Sequence, residues 1–205
     1  MPLAGDDLIS VAVADPQTAQ ALAAVLRDSG EWLEAVAGID SVVVRFDLAS
    51  VARAVAETRL KHATASVAVR PVRTGVVVKI PVVYGGEFGP DLERVCEKLG
   101  LTLREFVALH TGEYTVEMIG FTPGFAYVGG LDDRLIIDRR PEPRQRLPAG
   151  SIGIAAGRTG IYAMPGPGGW PIIGRTSRRL FDAGCKEPFL LSAGATVIFT
   201  ASDTL

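Results

Sequence analysis

RQRLPAGSIGIAAGRTGIYAMPGPGGWPIIGRT, residues 144–176, decides the fold class. Its apolar residues come in short bursts, 151–156, 160–163 and 170–176, each bounded by Gly or Pro. Bursts this short give no room for a helical period and read as strands ended by turns. The same texture extends outward, to 114–121 on one side and to 189–192 and 195–200 on the other. Many short strands joined by Gly- and Pro-rich turns imply a barrel or a sandwich.

Upstream the pattern turns helical. Leu92, Val95, Cys96 and Leu99 share one face of a helix spanning 90–99. Thr102 and Glu105 have capping-box spacing, Leu101 and Phe106 are placed as a hydrophobic staple, and that helix runs to about His110. Before them, 75–84 is an apolar strand interrupted by Pro81 and ended by Gly85 and Gly86, and 71–74 reads as a linker. The first part predicts a strand over 8–14, then a helix capped by Asp15 with Pro16 at its first position. Leu22, Val25 and Leu26 form its stripe and Gly30 its stop. A strand over 41–46, a helix opening at Asp47 with Val51 and Val55 one turn apart, and a strand over 65–69 complete it. The fold class is therefore α+β: residues 1–72 form a small strand-helix-strand-helix-strand domain, and residues 73–205 pair two helices with a closed sheet.

Composition narrows the function. Of 205 residues 48% are hydrophobic, enough for a core, and 21% are charged, which argues against wholesale disorder. A net charge of -2 argues against bulk nucleic-acid binding, which needs an excess of Lys and Arg. Cys96 and Cys185 stand far apart and away from any histidine at ligand spacing, so no zinc site or disulfide framework is expected, and sparse cysteine suits a reducing, cytoplasmic setting. No basic leader precedes a long apolar run, and no run of about 18 apolar residues occurs, so no signal peptide or membrane span is expected. There is no G-x-x-x-x-G-K-[ST] loop and no G-x-S-x-G elbow, so neither that kind of ATP site nor a serine hydrolase is expected in this chain.

Three runs carry the functional signal: IGFTPGFAYVGGL at 119–131, RQRLPAGSIGIA at 144–155, and GRTGIY at 157–162, continuing through PGGW at 167–170 and IGRT at 173–176. Glycine allows positive φ or close approach of a ligand, and proline stiffens a loop before it binds. Phe121, Phe125, Tyr127, Tyr162 and Trp170 can wall a pocket or anchor a partner. The competing reading is that these glycines only turn the corners of a tight barrel.

These runs resemble the family of B-type 5-oxoprolinase subunits, also called allophanate hydrolase subunit 1 or KipI-like proteins. The resemblance begins near IPVVYGGEFGPDL at 80–92 and continues through Leu109-His110-Thr111 and Leu180-Phe181-Asp182, about the last 125 residues. One departure is Arg158, where the family usually has glutamine before Thr-Gly-Ile-Tyr. The resemblance implies a small, shortened ferredoxin-like α+β first domain and a cyclophilin-like β-barrel second domain, without prolyl isomerase activity, because fold alone does not carry function. It implies a partner that is KipA-like, equivalent to the C-type 5-oxoprolinase subunit, and often an A-type subunit as well. The assembled complex cleaves the lactam of 5-oxo-L-proline to L-glutamate while consuming ATP. Some KipI-like proteins instead inhibit a sensor histidine kinase, and related fused proteins serve as carboxyltransferases in urea breakdown.

Residue by residue, His110 is a candidate acid or base, against a packing role at a helix end. Arg146, Arg158 and Arg175, set among Gly and Pro, are candidates for carboxylate, phosphate or partner contact, whereas Arg139, Arg140, Arg178 and Arg179 read as solvated. Phe121, Pro123, Gly124, Phe125, Thr159, Tyr162 and Trp170 complete the candidate substrate- or partner-binding set. Glu117 alternates with apolar residues and reads as facing outward. Phe125, Tyr162 and Arg175 are expected on one concave face that a second polypeptide completes.

Overall fold

The computed structural model describes residues 6–67 and 75–205. Its contacts divide the chain into two compact units, Met1–Val72 and Arg73–Leu205.

In the first unit the order is β1 (Leu8–Ala12), α1 (Pro16–Asp28), β2 (Glu34–Ala37), β3 (Ser41–Arg45) and α2 (Arg53–Ser66). The strands form an antiparallel sheet in the order β1-β3-β2. This matches the first five elements of a βαββαβ ferredoxin-like layout. Asp15 accepts the Thr18 N–H at 2.7 Å, capping α1 ahead of Pro16. Leu22 and Leu26 of α1 and Leu60 of α2 close on Val42, Val44 and Phe46.

The sequence carries no signal for β2, and two expectations fail here. β2 (EAVA) has a single buried side chain, Ala35, so it shows no apolar period. Asp47 does not open a helix. Its carboxylate accepts the Ala49 N–H and the Ser50 hydroxyl, closing a turn. α2 starts at Arg53, its core face is Ala56 and Leu60, and Val55 is exposed. Ala65 and Ser66 end α2 rather than start a strand. The rest of that segment from 68 onward, and the linker at 71–74, lie outside the described residues.

The second unit contains β4 (Val77–Tyr84), α3 (Leu92–Leu99), α4 (Leu103–His110), β5 (Gly112–Ile119) and β6 (Ala126–Gly129). After a 3-10 turn at Asp133–Leu135 come β7 (Arg144–Leu147), β8 (Ser151–Ala155), β9 (Arg158–Ile161), β10 (Gly166–Gly168), β11 (Ile172–Arg175) and β12 (Thr196–Ala201). Seven strands close into a barrel in the order β11-β4-β12-β5-β6-β9-β8, and β7 and β10 form a separate ribbon. β4 and β12 run parallel, and the other pairs are antiparallel. β11 pairs with β4 only at Val83 and Tyr84, so Pro81 lies beyond that ladder, where a missing N–H is tolerated.

The capping box forms as expected. Thr102 Oγ1 accepts the Glu105 N–H at 3.2 Å, and Glu105 accepts the Thr102 N–H at 2.8 Å. α3 contributes Leu92, Val95 and Cys96 to the barrel core and α4 contributes Phe106. Residues 189–192 form no strand, only a bridge from Phe189 to Phe181.

Alternation along the strands sets up the site. Ala126, Val128, Ile152, Ile154 and Ile161 belong to the barrel core. Tyr127, Gly153 and Gly160, one residue out of phase, therefore face outward.

Candidate functional site

A second, smaller apolar cluster lies on that outer face: Phe125, Leu147, Tyr162 and Ile172, with Tyr127 against them. Glycines make room for it. A Cβ on Gly160 would stand 2.5 Å from Phe125 Cζ and 2.9 Å from Trp170 Cζ3. A Cβ on Gly153 would stand 3.0 Å from Trp170 Cβ. The rings meet edge to face: Phe125 has centroids at 4.8 Å from Tyr127, 4.9 Å from Tyr162 and 5.9 Å from Trp170. Phe121, Phe125, Tyr127, Tyr162 and Trp170 wall a hollow of about 260 Å³, closed by Pro143, the 167–169 turn, Arg139 and Arg140.

The turn joining β5 to β6 presents Phe121 at the rim. Gly120 N–H donates to Phe125 O at 3.1 Å and Phe125 N–H to Thr122 O at 3.0 Å, which closes a tight loop. Phe121 sits at φ 65, a left-handed conformation that a bulky residue rarely adopts, and it is 61% exposed. Gly124 (φ 75) is buried, and a Cβ there would come within 2.9 Å of Ala163 Cβ and 3.0 Å of Phe181 Cβ. Pro123 is exposed at the loop's tip. Backbone strain combined with an exposed ring beside a preformed hollow is the pattern of a binding surface.

The other wall is electrostatic. Asp91, buried at the start of α3, accepts from Arg140 at 2.8 Å, from Arg144 at 2.6 and 2.8 Å, and from the Ile172 N–H at 2.7 Å. Burial opposes its charge, but the Arg144 and Ile172 hydrogen bonds and the two guanidinium charges outweigh it and hold the carboxyl below its usual range. Arg140 N–H also donates to Gly169 O at 2.7 Å, so the wall is fixed from both sides. Burial pushes the Tyr127 and Tyr162 hydroxyls up, opposed by Arg139 at Tyr127 and chiefly by a hydrogen bond with the Trp170 backbone at Tyr162, so both remain hydrogen-bond donors at neutral pH.

The structure thus brings Phe121, Phe125, Tyr162 and Trp170 together at one hollow, with Pro123 and Gly124 in the adjoining turn. It places the remaining candidates elsewhere. Arg175 is not in the hollow: its Nε donates to Ala149 O at 3.0 Å and helps hold the 149–151 turn. Arg146 is exposed on β7 and does not line the hollow. Arg158 Nε donates to Glu117 Oε2 at 2.6 Å, and Glu117, expected to face solvent, is three-quarters covered in this pair. Thr159 points into the barrel and meets His110 Nε2 at 2.8 Å, while His110 Nδ1 meets the Tyr84 hydroxyl at 2.6 Å. His110 has no exposed surface and stacks on Phe106, with Phe199 tilted at 4.9 Å. Burial drives its pKa down to about 3, so it is a neutral, fully bonded core group with no approach for a substrate.

Sequence reasoning passes over Asp91 and takes Arg139 and Arg140 as solvated. The available signal is an aspartate just ahead of a helix stripe and the arginine cluster at 139–146, of which Arg140 and Arg144 pair with it. Among the described residues, no group of three or more His, Cys, Asp or Glu stands where it could hold a metal ion. No helix among them is long and apolar enough to cross a membrane.

The second unit is thus a seven-stranded closed barrel with an aromatic hollow on its outer face, and a small α/β unit precedes it in the chain. The chain belongs to the family described as carboxyltransferase domain, subdomain C and D, whose model matches residues 3–191, and within it to the group of B-type 5-oxoprolinase subunits. The B-type 5-oxoprolinase subunit of Bacillus subtilis (strain 168) is 49% identical over 124 residues, 60% of this chain and 52% of the relative. Its counterpart of the same name in Haemophilus influenzae is 40% identical over 180 residues, 87% of this chain and 84% of the relative. The chain thus spans about half the length of the first of these relatives and most of the second. The crystal structure of TTHA0988 superposes with a TM-score of 0.79 at 31% identity, covering 97% of this chain and 40% of that one. The K. lactis urea amidolyase superposes with a TM-score of 0.81 at 18% identity over 96% of this chain and 14% of that one, a likeness of fold alone.

Proposed function

We propose that this chain is a non-autonomous component of a cytoplasmic, ATP-dependent 5-oxoprolinase that converts 5-oxo-L-proline to L-glutamate. Its site is completed by a KipA-like, C-type partner, and an A-type protein joins the assembly. The observation that carries this reading is Phe121, 61% exposed and held at φ 65 over the rim of the aromatic hollow. An aromatic ring placed in solvent at a conformational cost acquires a return when another surface covers it. The relatives named as B-type 5-oxoprolinase subunits support the reaction, and the recurrence of the same fold as a minor part of longer chains supports a composite site.

In this reading the flat lactam lies against the aromatic wall. Tyr127 and Tyr162 donate to its carbonyl oxygen, and the exposed Arg139 fork takes its carboxylate. The partner excludes water and supplies the groups that handle ATP. The test is reconstitution. The purified chain is expected to show no 5-oxoproline-dependent ATP hydrolysis alone, and to support it once the C- and A-type proteins of the same source are added. An inactive set with every component verified as folded would overturn the reading.

A further inference from the structure

A second hollow, about 310 Å³, lies on the far side of the Arg139–Arg140 wall. One face is α3, where Asp91, Arg94, Val95 and Lys98 recur at helical spacing. The opposite face is the 137–142 segment. It is fastened by Ala156 N–H to Ile137 O at 2.9 Å and Arg140 N–H to Gly169 O at 2.7 Å, and stiffened by Pro141.

Four cations (Arg94, Lys98, Arg139 and Arg140) line it against three carboxylates (Asp91, Asp138 and Glu142). Asp91 does not offset the other cations, because its oxygens are committed to Arg140, Arg144 and the Ile172 N–H. Arg144, just behind it, adds a further positive charge. Arg94, Lys98 and Arg139 have no hydrogen-bond or ion-pair partner among the described residues. Three uncommitted cations arriving from two rigid elements on one concavity, with Val95, Ile137, Pro141 and Pro171 as apolar floor, form a site with a charge to fill.

We propose that this second hollow binds a small anion bearing carboxylate or phosphate oxygens, held by Arg94 and Lys98 on one side and Arg139 on the other. The guanidinium forks match paired oxyanions, and the neighbouring Asp138 and Glu142 restrict the site to compact anions by repelling extended ones. This inference is separate from the 5-oxoproline reading and stands if that reading fails. The two sites share Arg139, so an anion in the second hollow competes for the fork that faces the first.

The test uses the full chain and two probes, inorganic phosphate and succinate, titrated while backbone amide shifts are followed by NMR. At least one probe is expected to saturate, moving Arg94, Lys98 and Arg139. The double variant Arg94→Ala/Lys98→Ala, at exposed helix positions that leave the fold intact, is expected to raise the Kd about tenfold or more, as loss of two charge-assisted contacts requires. Glu142→Gln is expected to lower the Kd by removing repulsion. The relative response to the two probes identifies the oxyanion. Absence of saturable shifts with both probes, unchanged titration of the double variant, or weaker binding by Glu142→Gln would each overturn the proposal.

Discussion

Arg158 of β9 and Glu117 of β5 join across the intervening strand β6, with Nε to Oε2 at 2.6 Å, and Glu117 lies over the α-carbon of Gly129. A side chain at 129 would occupy the space of the carboxylate, so the glycine of the Val-Gly-Gly run makes room for an ion pair. Both side chains are about three-quarters covered, at 25% and 22% exposure. Removing Arg158 therefore takes a charge-assisted contact from a poorly solvated carboxylate. Arg158→Ala is expected to cost about 1–3 kcal/mol in urea unfolding. Arg158→Gln, which retains a donor for Glu117, should cost less, and Arg158→Gln with Glu117→Gln should recover most of the loss. Equal losses for Arg158→Ala and Arg158→Gln would show that Glu117 requires the Arg158 charge and not a retained hydrogen bond.

Gly160→Ala tests whether the glycine platform builds the hollow. The added methyl would meet Phe125 Cζ at 2.5 Å and the Trp170 ring at 2.9–3.1 Å. Overpacking of that kind costs about 1–3 kcal/mol and displaces the ring. The expected outcome is a folded barrel with altered Trp170 fluorescence and, in the reconstituted complex, the proposed 5-oxoprolinase activity reduced well beyond the loss of stability. Wild-type activity with an unchanged emission spectrum would separate the hollow from function.

The buried histidine makes a pH prediction. His110 has a folded pKa of about 3, against an ordinary 6.5, because burial disfavours its cation. The unfolded chain takes up a proton as pH falls through 6.5, and the folded chain does not until about 3. Stability from this group is therefore full above pH 6.5 and lost progressively as pH falls toward 3. Each pH unit in that window removes on the order of 1 kcal/mol. His110→Asn is expected to be less stable at pH 8, with Tyr84 and Thr159 losing their shared partner, but to show a shallower decline in unfolding free energy between pH 6.5 and 4. A slope equal to wild type would mean that His110 is protonated in the fold.

Much of this architecture was legible in sequence, and the failures share a cause. The capping box of Thr102 and Glu105 and the Pro16 entry to α1 are local, and they formed as read. The aromatics Phe121, Phe125, Tyr162 and Trp170 were recognisable because Gly and Pro isolate them, and the barrel gathers them at one hollow. Arg175 was misplaced because one residue of strand phase decides which way a side chain points, and a register shift beside Gly174 alters that phase. The outward glycines Gly153 and Gly160 acquire meaning only when Trp170 and Phe125 are laid over them by distant pairing. Asp91 and Arg144 are 53 residues apart, and no local pattern announces their contact.

Asp91 couples the two hollows mechanically. Its carboxylate fixes Arg140, which lines both, and Arg144, which begins β7. Asp91→Asn keeps an acceptor for the Ile172 N–H but removes the charge that compensates two guanidinium groups. Those groups are 26–29% exposed, so solvent softens the loss, and about 2–4 kcal/mol is expected in chemical unfolding. Below the ordinary carboxyl value of 3.8 the wild type should approach the variant, because protonating Asp91 has the same effect and its stabilisation disappears as pH falls through its lowered folded pKa. A variant as stable as wild type at pH 7 would mean that the arginines find equivalent partners.

Phe121 carries the sharpest opposition between stability and function. A phenylalanine at φ 65 is strained by about 1 kcal/mol, a conformation that asparagine tolerates. Its ring is 61% exposed, so truncation removes little buried area from the free chain. Phe121→Asn is therefore expected to leave the isolated chain as stable as wild type or up to about 1 kcal/mol more stable. In the reconstituted complex the same change removes the ring that the partner is proposed to cover. Affinity for the KipA-like, C-type protein should fall by about tenfold or more, the scale of a lost aromatic anchor. Phe121→Tyr, which retains the ring, should bind as wild type. Partner affinity unaffected by Phe121→Asn would remove the reason offered for the strained turn and, with it, the composite-site reading of this face.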